Sequence, residues 1–178
     1  MKKNRNNVQL DFEVDKITNS IVCVKTNEVF QTVISQVKKS DLKRIKKSKW
    51  KFDWVWELKQ PEREVYMLEI EDKTGVIHGL ISLSDKGDHV QMDLLENAAF
   101  NYGKNKKYLG VAGNLVAYGC KISFEKGYNG YLAFQAKTEL IPHYKKKLKA
   151  EVLFGIKMYI SQKNSLTLVT KYFKDFKV

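Results

Sequence analysis

The stretch that most constrains how this chain can fold is Lys107-Tyr-Leu-Gly-Val-Ala-Gly-Asn-Leu115. Gly110 and Gly113 let a loop bring its backbone N–H groups close to a ligand. The residues that follow repeat as a helix. Val111, Leu115, Tyr118 and Ile122 fall at i, i+4, i+7 and i+11, one buried stripe. Gly127 closes that helix, which covers about 111–126. A helix start aims unpaired N–H groups and the positive end of its dipole at one point. Such a loop suits a phosphate or pyrophosphate, and the flanking elements decide which kind.

Three strands precede the loop, at 64–71, 76–84 and 89–96. Asp72-Lys-Thr-Gly75 and Asp85-Lys-Gly-Asp88 separate them as turns, which makes an antiparallel meander. Val76-Ile-His-Gly-Leu-Ile-Ser-Leu83 is apolar almost throughout, as in a strand covered on both faces. After the helix come a strand at 130–136 and a helix from Lys137 to Leu148, with Pro142 tolerable in an early turn. One or two strands at 151–160 and a helix from Ser161 to about 173 close the chain. Near the start, residues 8–14 alternate in period two. Residues 20–26 and 29–37 read as a hairpin about Asn27-Glu28. Ser40 caps a helix of about 41–48, with Asp41 in its first turn. The expectation is one mixed α+β domain over 1–178, with an N-terminal strand and hairpin extension at about 8–37.

A chain of 178 residues that is 43% hydrophobic can bury a sizeable core. Cys23 and Cys120 have no partner spacing, which suits a reduced, cytoplasmic protein. His78, His89 and His143 form no metal-binding pattern, so no metal is expected. The basic start, Met1 to Asn7, is followed by no apolar signal core, and no run is long enough to span a membrane. The 32 basic against 20 acidic residues give +12, a balance that favours acidic partners, nucleic acid or anionic cofactors.

A nucleotide P-loop needs Gly-x-x-x-x-Gly-Lys-Ser/Thr, and Gly103-Lys-Asn-Lys-Lys-Tyr-Leu-Gly110 has neither that spacing nor that ending. A dinucleotide fingerprint opens an early βαβ unit, whereas this loop follows an antiparallel meander. The order and motifs instead resemble the GCN5-related N-acetyltransferase superfamily over about residues 64–160. Lys107-Tyr-Leu-Gly110-Val-Ala112 is similar to its acyl-CoA motif, with lysine where arginine or glutamine is usual. Tyr144-Lys-Lys-Lys-Leu148-Lys-Ala150 is similar to the tyrosine-bearing end of its next helix, with Lys149 where glycine is usual.

The resemblance implies a mostly antiparallel twisted sheet flanked by helices and splayed between the strands near 89–96 and 130–136. It implies acetyl-CoA as cosubstrate and direct transfer of the acetyl group to a primary amine. The cofactor would be held by Lys107, Tyr108, Leu109, Gly110, Val111, Ala112, Gly113 and Asn114 around the pyrophosphate. Leu94, Leu95 and Asn97 would line the pantetheine. A backbone N–H near Leu95 would stabilise the oxyanion, and Tyr144 would protonate the leaving thiolate. Glu96, at the strand end, is the preferred base. Asp93 is the other candidate, on the opposite face under strict alternation. The oligomeric state stays open, a homodimer included.

The resemblance does not name the acceptor. Lysines and Arg44 crowd residues 38–51, next to Trp50, Phe52, Trp54 and Trp56. Those rings either pack a core face or stack bases. A basic wall suits an acidic or RNA-linked amine and repels a polycation. The alternative reading is a non-catalytic, basic nucleic-acid-binding module.

Overall fold

A computed structural model describes residues 10, 12, 14, 20–45 and 49–178. Its centre is the expected meander: β4 (Arg63–Ile70), β5 (Gly79–Asp85) and β6 (Val90–Asn97) pair antiparallel. β3 (Thr32–Gln36) joins outside β4. On the other side lie β8 (Leu132–Gln135), β10 (Lys157–Ile160) and β9 (Glu151–Phe154), giving a seven-stranded sheet in the order β3-β4-β5-β6-β8-β10-β9. Every pairing in it is antiparallel except β6 with β8.

α2 (Val111–Glu125) crosses one face and carries Val111, Leu115, Val116 and Cys120 into the core. A glycine is required beneath it: a Cβ on Gly79 would stand 2.8 Å from Val111 Cγ1 and 2.9 Å from Leu115 Cδ1. Gly110, just before the helix, has φ 91°, a left-handed conformation that suits glycine. α4 (Gln162–Tyr172) packs beside α2. α3 (Ile141–Leu148) follows a short 3-10 turn, with Pro142 in its first turn, where its missing N–H costs nothing.

Several boundaries differ from expectation, each for a local reason. The run 29–37 serves two sheets. β1 (Ile21–Cys23) and β2 (Val29–Phe30) form the hairpin, while residues 32–36 leave it for the main sheet. The helix expected at 41–48 is a 3-10 helix at Lys39–Lys43, and its start is held by Asp41 accepting from the Lys38 N–H (2.9 Å) rather than by Ser40. Residues 46–48 of that expectation lie outside the described residues. Trp54 and Trp56, for which no element was expected, sit in a short helix, α1 (Trp54–Glu57), capped by Asp53 accepting from the Trp56 N–H at 3.1 Å. Of the run 8–14, the described residues Leu10, Phe12 and Val14 are all buried, as period two requires.

Candidate active site

The sheet opens where the site was expected. β6 and β8 pair only at Val90↔Leu132 and Gln91↔Ala133, then part. A β-bulge in β6 accompanies the parting. Ser82 stands opposite Leu94 but Leu83 opposite Met92, so Asp93 is the extra residue. The extra residue shifts the alternation. The Val90 N–H is turned towards β8, donating to the Tyr131 carbonyl (3.2 Å), whereas beyond the bulge the Ala98 N–H is turned towards β5, donating to the His78 carbonyl (2.8 Å). Alternation from Ala98 turns the N–H groups of Leu95 and Asn97 into the gap.

The bulge also corrects the expected orientation of the two carboxylates. Asp93 and Glu96 reach the same face, the one that α1 covers. Glu96 is buried and accepts from the backbone N–H of Lys51, the backbone N–H of Phe52 (3.2 Å) and the indole N–H of Trp54 (2.7 Å). Three donors occupy most of a carboxylate's acceptor capacity, about four lone-pair sites. Glu96 therefore anchors the segment 51–54 to the sheet.

Asp93 lies in a second buried polar group that the sequence did not single out. Glu57, on α1, accepts from Arg63 (2.7 and 2.9 Å) and from the Ser82 hydroxyl (2.9 Å). Arg63 also lies 3.9 Å from Asp93 and under the Trp56 ring. Burial pushes the Asp93 carboxyl above the ordinary aspartate value, against the opposing pull of the nearby Ser84 hydroxyl and then of the Arg63 guanidinium. Its Oδ2 has no hydrogen-bond partner among the described residues. Glu57 and Arg63 are six residues apart, and Ser82 and Asp93 join them from distant strands.

At the wide end of the gap sits the glycine loop. Val111, Ala112 and Gly113 open α2 and are buried, and the Asn114 side chain donates to Thr32 Oγ1 at 3.0 Å. Their N–H groups are the ones a helix start leaves without intrahelical partners. Tyr108–Leu109 is itself a short strand, β7, antiparallel to β1 at Val22↔Leu109 and Cys23↔Tyr108. With β2 it makes a three-stranded sheet over the loop. The Tyr108 ring stands edge-on to His78 (centroids 4.8 Å apart), and Lys107 lies over Phe100. Burial lowers the His78 pKa to about 4, which keeps the imidazole neutral. Its Nδ1 and the Asn97 Oδ1 are buried with no partner among the described residues. Leu94 and Leu95 are buried beside the gap.

Tyr144, on α3, is fully buried between Phe12 and Phe134. Its hydroxyl lies 2.8 Å from the Phe12 carbonyl and 3.2 Å from the Leu10 carbonyl. The neighbouring His143 accepts the Val14 N–H at Nε2 (2.9 Å). The structure thus gathers Leu95, Asn97 and residues 107–114 at one opening and places Tyr144 across it on the β8 side. It holds Glu96 on the α1 face.

The aromatic segment is largely core. Trp50 and Trp54 are buried and pack edge to face, while Lys38, Lys39, Lys43, Lys49 and Lys51 are exposed. A cavity of about 380 Å³ beside the end of β6 is lined by Arg44, Lys49, Trp50, Ile77 and Phe100, among others. Among the described residues no helix is long and apolar enough to cross a membrane.

No family model matches the sequence, and a search of curated proteins finds no match. Solved structures do match. A chain of the KacTA–DNA complex aligns with TM-score 0.55 and 14% identity, covering 79% of this chain and 99% of that one. Mutant forms of the spermidine/spermine N-acetyltransferase SpeG from Vibrio cholerae align with TM-score 0.54 and 16% identity, covering 77% and 97%. The same enzyme in complex with CoA and spermine aligns with TM-score 0.50 and 16% identity, covering 76% and 98%. The fold is that of the GCN5-related N-acetyltransferases.

Proposed function

We propose that this chain, built on the GCN5-related N-acetyltransferase fold, transfers an acetyl group from acetyl-CoA to a primary amine. The observation that carries the reading is the parting of β6 and β8 immediately beyond Gln91 and Ala133, with the glycine loop at its open end. The residues present fit the cofactor. Helix-start N–H groups at 111–113 suit a pyrophosphate, and Lys107 adds a cation. The Leu95 and Asn97 backbone, turned into the gap, suits the amides of a pantetheine arm. Bound there, acetyl-CoA supplies the activated thioester.

The chain's own groups then have distinct tasks. The Leu95 N–H faces the position of a developing oxyanion, where a fixed donor strengthens as charge builds. Tyr144 carries the proton for the departing thiolate. The amine must lose a proton before it attacks. Of the two carboxylates weighed for that task, Glu96 is engaged by three donors, whereas Asp93 has an oxygen without a partner among the described residues and a raised proton affinity. We therefore assign the base to Asp93 and give Glu96 the positioning of residues 51–54.

The acceptor follows from charge. The exposed Lys38, Lys39, Lys43, Lys49 and Lys51 and a net charge of +12 favour an amine on an acidic or RNA-linked molecule and disfavour a free polyamine. The nucleic-acid-binding alternative keeps only the half-buried Phe52 and Trp56 for stacking, because Trp50 and Trp54 are buried. Thiol release from acetyl-CoA, followed with a panel of amines of differing charge, tests the reading. Stimulation by an acidic peptide amine or aminoacylated RNA is the expected result. No thiol release with any acceptor, despite acetyl-CoA binding, would leave a non-catalytic CoA-binding protein.

A further inference from the structure

The cavity beside the end of β6 is separate from both the glycine loop and the gap. Trp50, Ile77, Ala98 and Phe100 give it apolar walls, and Arg44 and Lys49 are the charged residues that line its volume of about 380 Å³. No carboxylate lines it among the described residues. Trp50, Ile77 and Ala98 are at most 7% exposed, so these walls are parts of the core. A volume above about 300 Å³ with apolar walls and few polar groups is typical of a ligand site.

Packing sets its place relative to the reaction centre. Trp50 stands edge to face with Trp54 of α1, their centroids 6.4 Å apart, and Glu96 holds the adjoining N–H groups of Lys51 and Phe52. The cavity therefore lies on the face of the sheet that α1 covers, the face that Asp93 also reaches. The start of α2 lies on the other face, where Gly79 meets Val111. A cofactor on the glycine loop and an acceptor in the cavity approach β6 from opposite faces. Ala98 is three residues beyond Leu95, about 10 Å along an extended strand. About three residues of extended peptide span that distance. Charge marks the mouth. Arg44 is engaged by Asp41 (3.3 Å) and by Glu69. Lys49 is exposed and makes no ion pair among the described residues, so it is the cation that a ligand meets.

From this we infer that the cavity is the acceptor subsite, and that the acceptor is a peptide amine with a large apolar side chain about two residues beyond the amine and an acidic group next to it. The inference rests on the acyl-transfer reading and narrows its acceptor. The apolar side chain lies against Trp50, Ile77 and Phe100, the amine reaches the thioester carbonyl near Leu95, and the carboxylate meets Lys49. The nitrogen–carbonyl bond forms as the carbon–sulfur bond breaks. Asp93 accepts a proton from the nitrogen, the thiolate receives one from Tyr144, and solvent returns the proton from Asp93 to Tyr144. An RNA chain is held through several phosphate contacts, whereas this mouth offers Lys49 and apolar walls.

The test uses the full chain. Thiol release from acetyl-CoA is followed with the peptides Ala-Ala-Phe-Glu, Ala-Ala-Gly-Glu and Ala-Ala-Phe-Arg, in wild type, Ala99→Trp and Lys49→Glu. Ala99 is an exposed lining residue, so tryptophan there fills the cavity from its mouth. In wild type, kcat/KM for the Phe-Glu peptide should exceed that for the Gly-Glu peptide by about tenfold, through KM, as burial of an aromatic ring implies. Ala99→Trp should abolish that difference and leave acetyl-CoA affinity, measured by calorimetry, unchanged. Lys49→Glu should reverse the preference for the glutamate peptide over the arginine peptide, and this surface change keeps the test decisive if Ala99→Trp fails to fold. Equal kcat/KM for the Phe-Glu and Gly-Glu peptides, or preferences untouched by the folded variants, would overturn the subsite and leave acyl transfer standing. Turnover of an aminoacylated RNA with none of the peptides acetylated would do the same. Absence of acetyl-CoA binding, or of turnover with every amine, would overturn the acyl-transfer reading and the subsite with it.

Discussion

The Tyr144 hydroxyl lies 2.8 Å from the carbonyl of Phe12, a residue 132 positions earlier in the chain. One contact thus joins the proposed acid of the reaction to a backbone group far away in the chain. Tyr144→Phe keeps the ring packing and removes the proton. We expect kcat to fall about 100-fold, the low end of acid–base contributions, with stability reduced by only about 1 kcal/mol. Acetyl-CoA affinity should hold, because the ring packing against Phe12 and Phe134 is kept. Steady-state kinetics with a denaturant titration check this, and an unchanged kcat would remove Tyr144 from the chemistry.

Glu96 organises the segment 51–54, and its loss should appear first in stability. Glu96→Ala strands the N–H groups of Lys51, Phe52 and Trp54. Unsatisfied buried donors cost about 1–3 kcal/mol. Urea unfolding should show a lower midpoint with an unchanged slope. Full stability in the variant would contradict the anchoring role.

Gly79 is fixed by packing. A methyl group there meets Val111 Cγ1 at 2.8 Å, Leu115 Cδ1 at 2.9 Å and the Glu96 carbonyl at 3.3 Å. Gly79→Ala should destabilise by about 1–3 kcal/mol, as overpacking does, and should move the start of α2 away from β5. Weakened acetyl-CoA binding would accompany that shift. Thermal unfolding and a cofactor titration report the two effects.

His78 gives a signed pH dependence. Its pKa falls from 6.5 to about 4 on folding, because burial disfavours the charged ring. Between those values the unfolded chain binds the proton and the native one does not, so stability drops as pH falls from about 6.5 towards 4. His78→Phe keeps a ring against Phe100 and Tyr108 and should flatten stability in that window. Denaturation at pH 7 and pH 5 gives the comparison. An equal loss in both proteins would assign the acid sensitivity elsewhere.

Local periodicity made the centre of the fold legible. The meander, α2 and the glycine loop announce themselves through alternation, a helical stripe and Gly127. The bulge at Asp93 does not, since one extra residue in a ladder leaves no mark in the composition of β6, yet it decides which backbone groups face the gap. The Glu96 anchor and the joining of Ser82 and Asp93 to the Glu57–Arg63 pair depend on partners far away in the chain, and the sequence offered only two carboxylates on one strand. The period-two run at 8–14 lies largely outside the described residues, and the place of Leu10 on the β8 edge comes from its pairing with Ala136. The hairpin's cover over residues 108–109 is likewise a long-range pairing. The spacing of Trp54 and Trp56 did not announce a helical turn, and Asp53 capping it set the outcome.

The central claim is that the gap between β6 and β8 holds acetyl-CoA with its pyrophosphate on the glycine loop. Calorimetric titration of the wild-type protein with acetyl-CoA, repeated with Gly110→Asp, addresses it directly. The substitution puts a negative charge at the helix start and a side chain where φ is 91°. Saturable binding by wild type, weakened at least tenfold in the variant, is the predicted result. Equal binding by both would remove the pyrophosphate from this loop, and no binding by wild type would contradict the account.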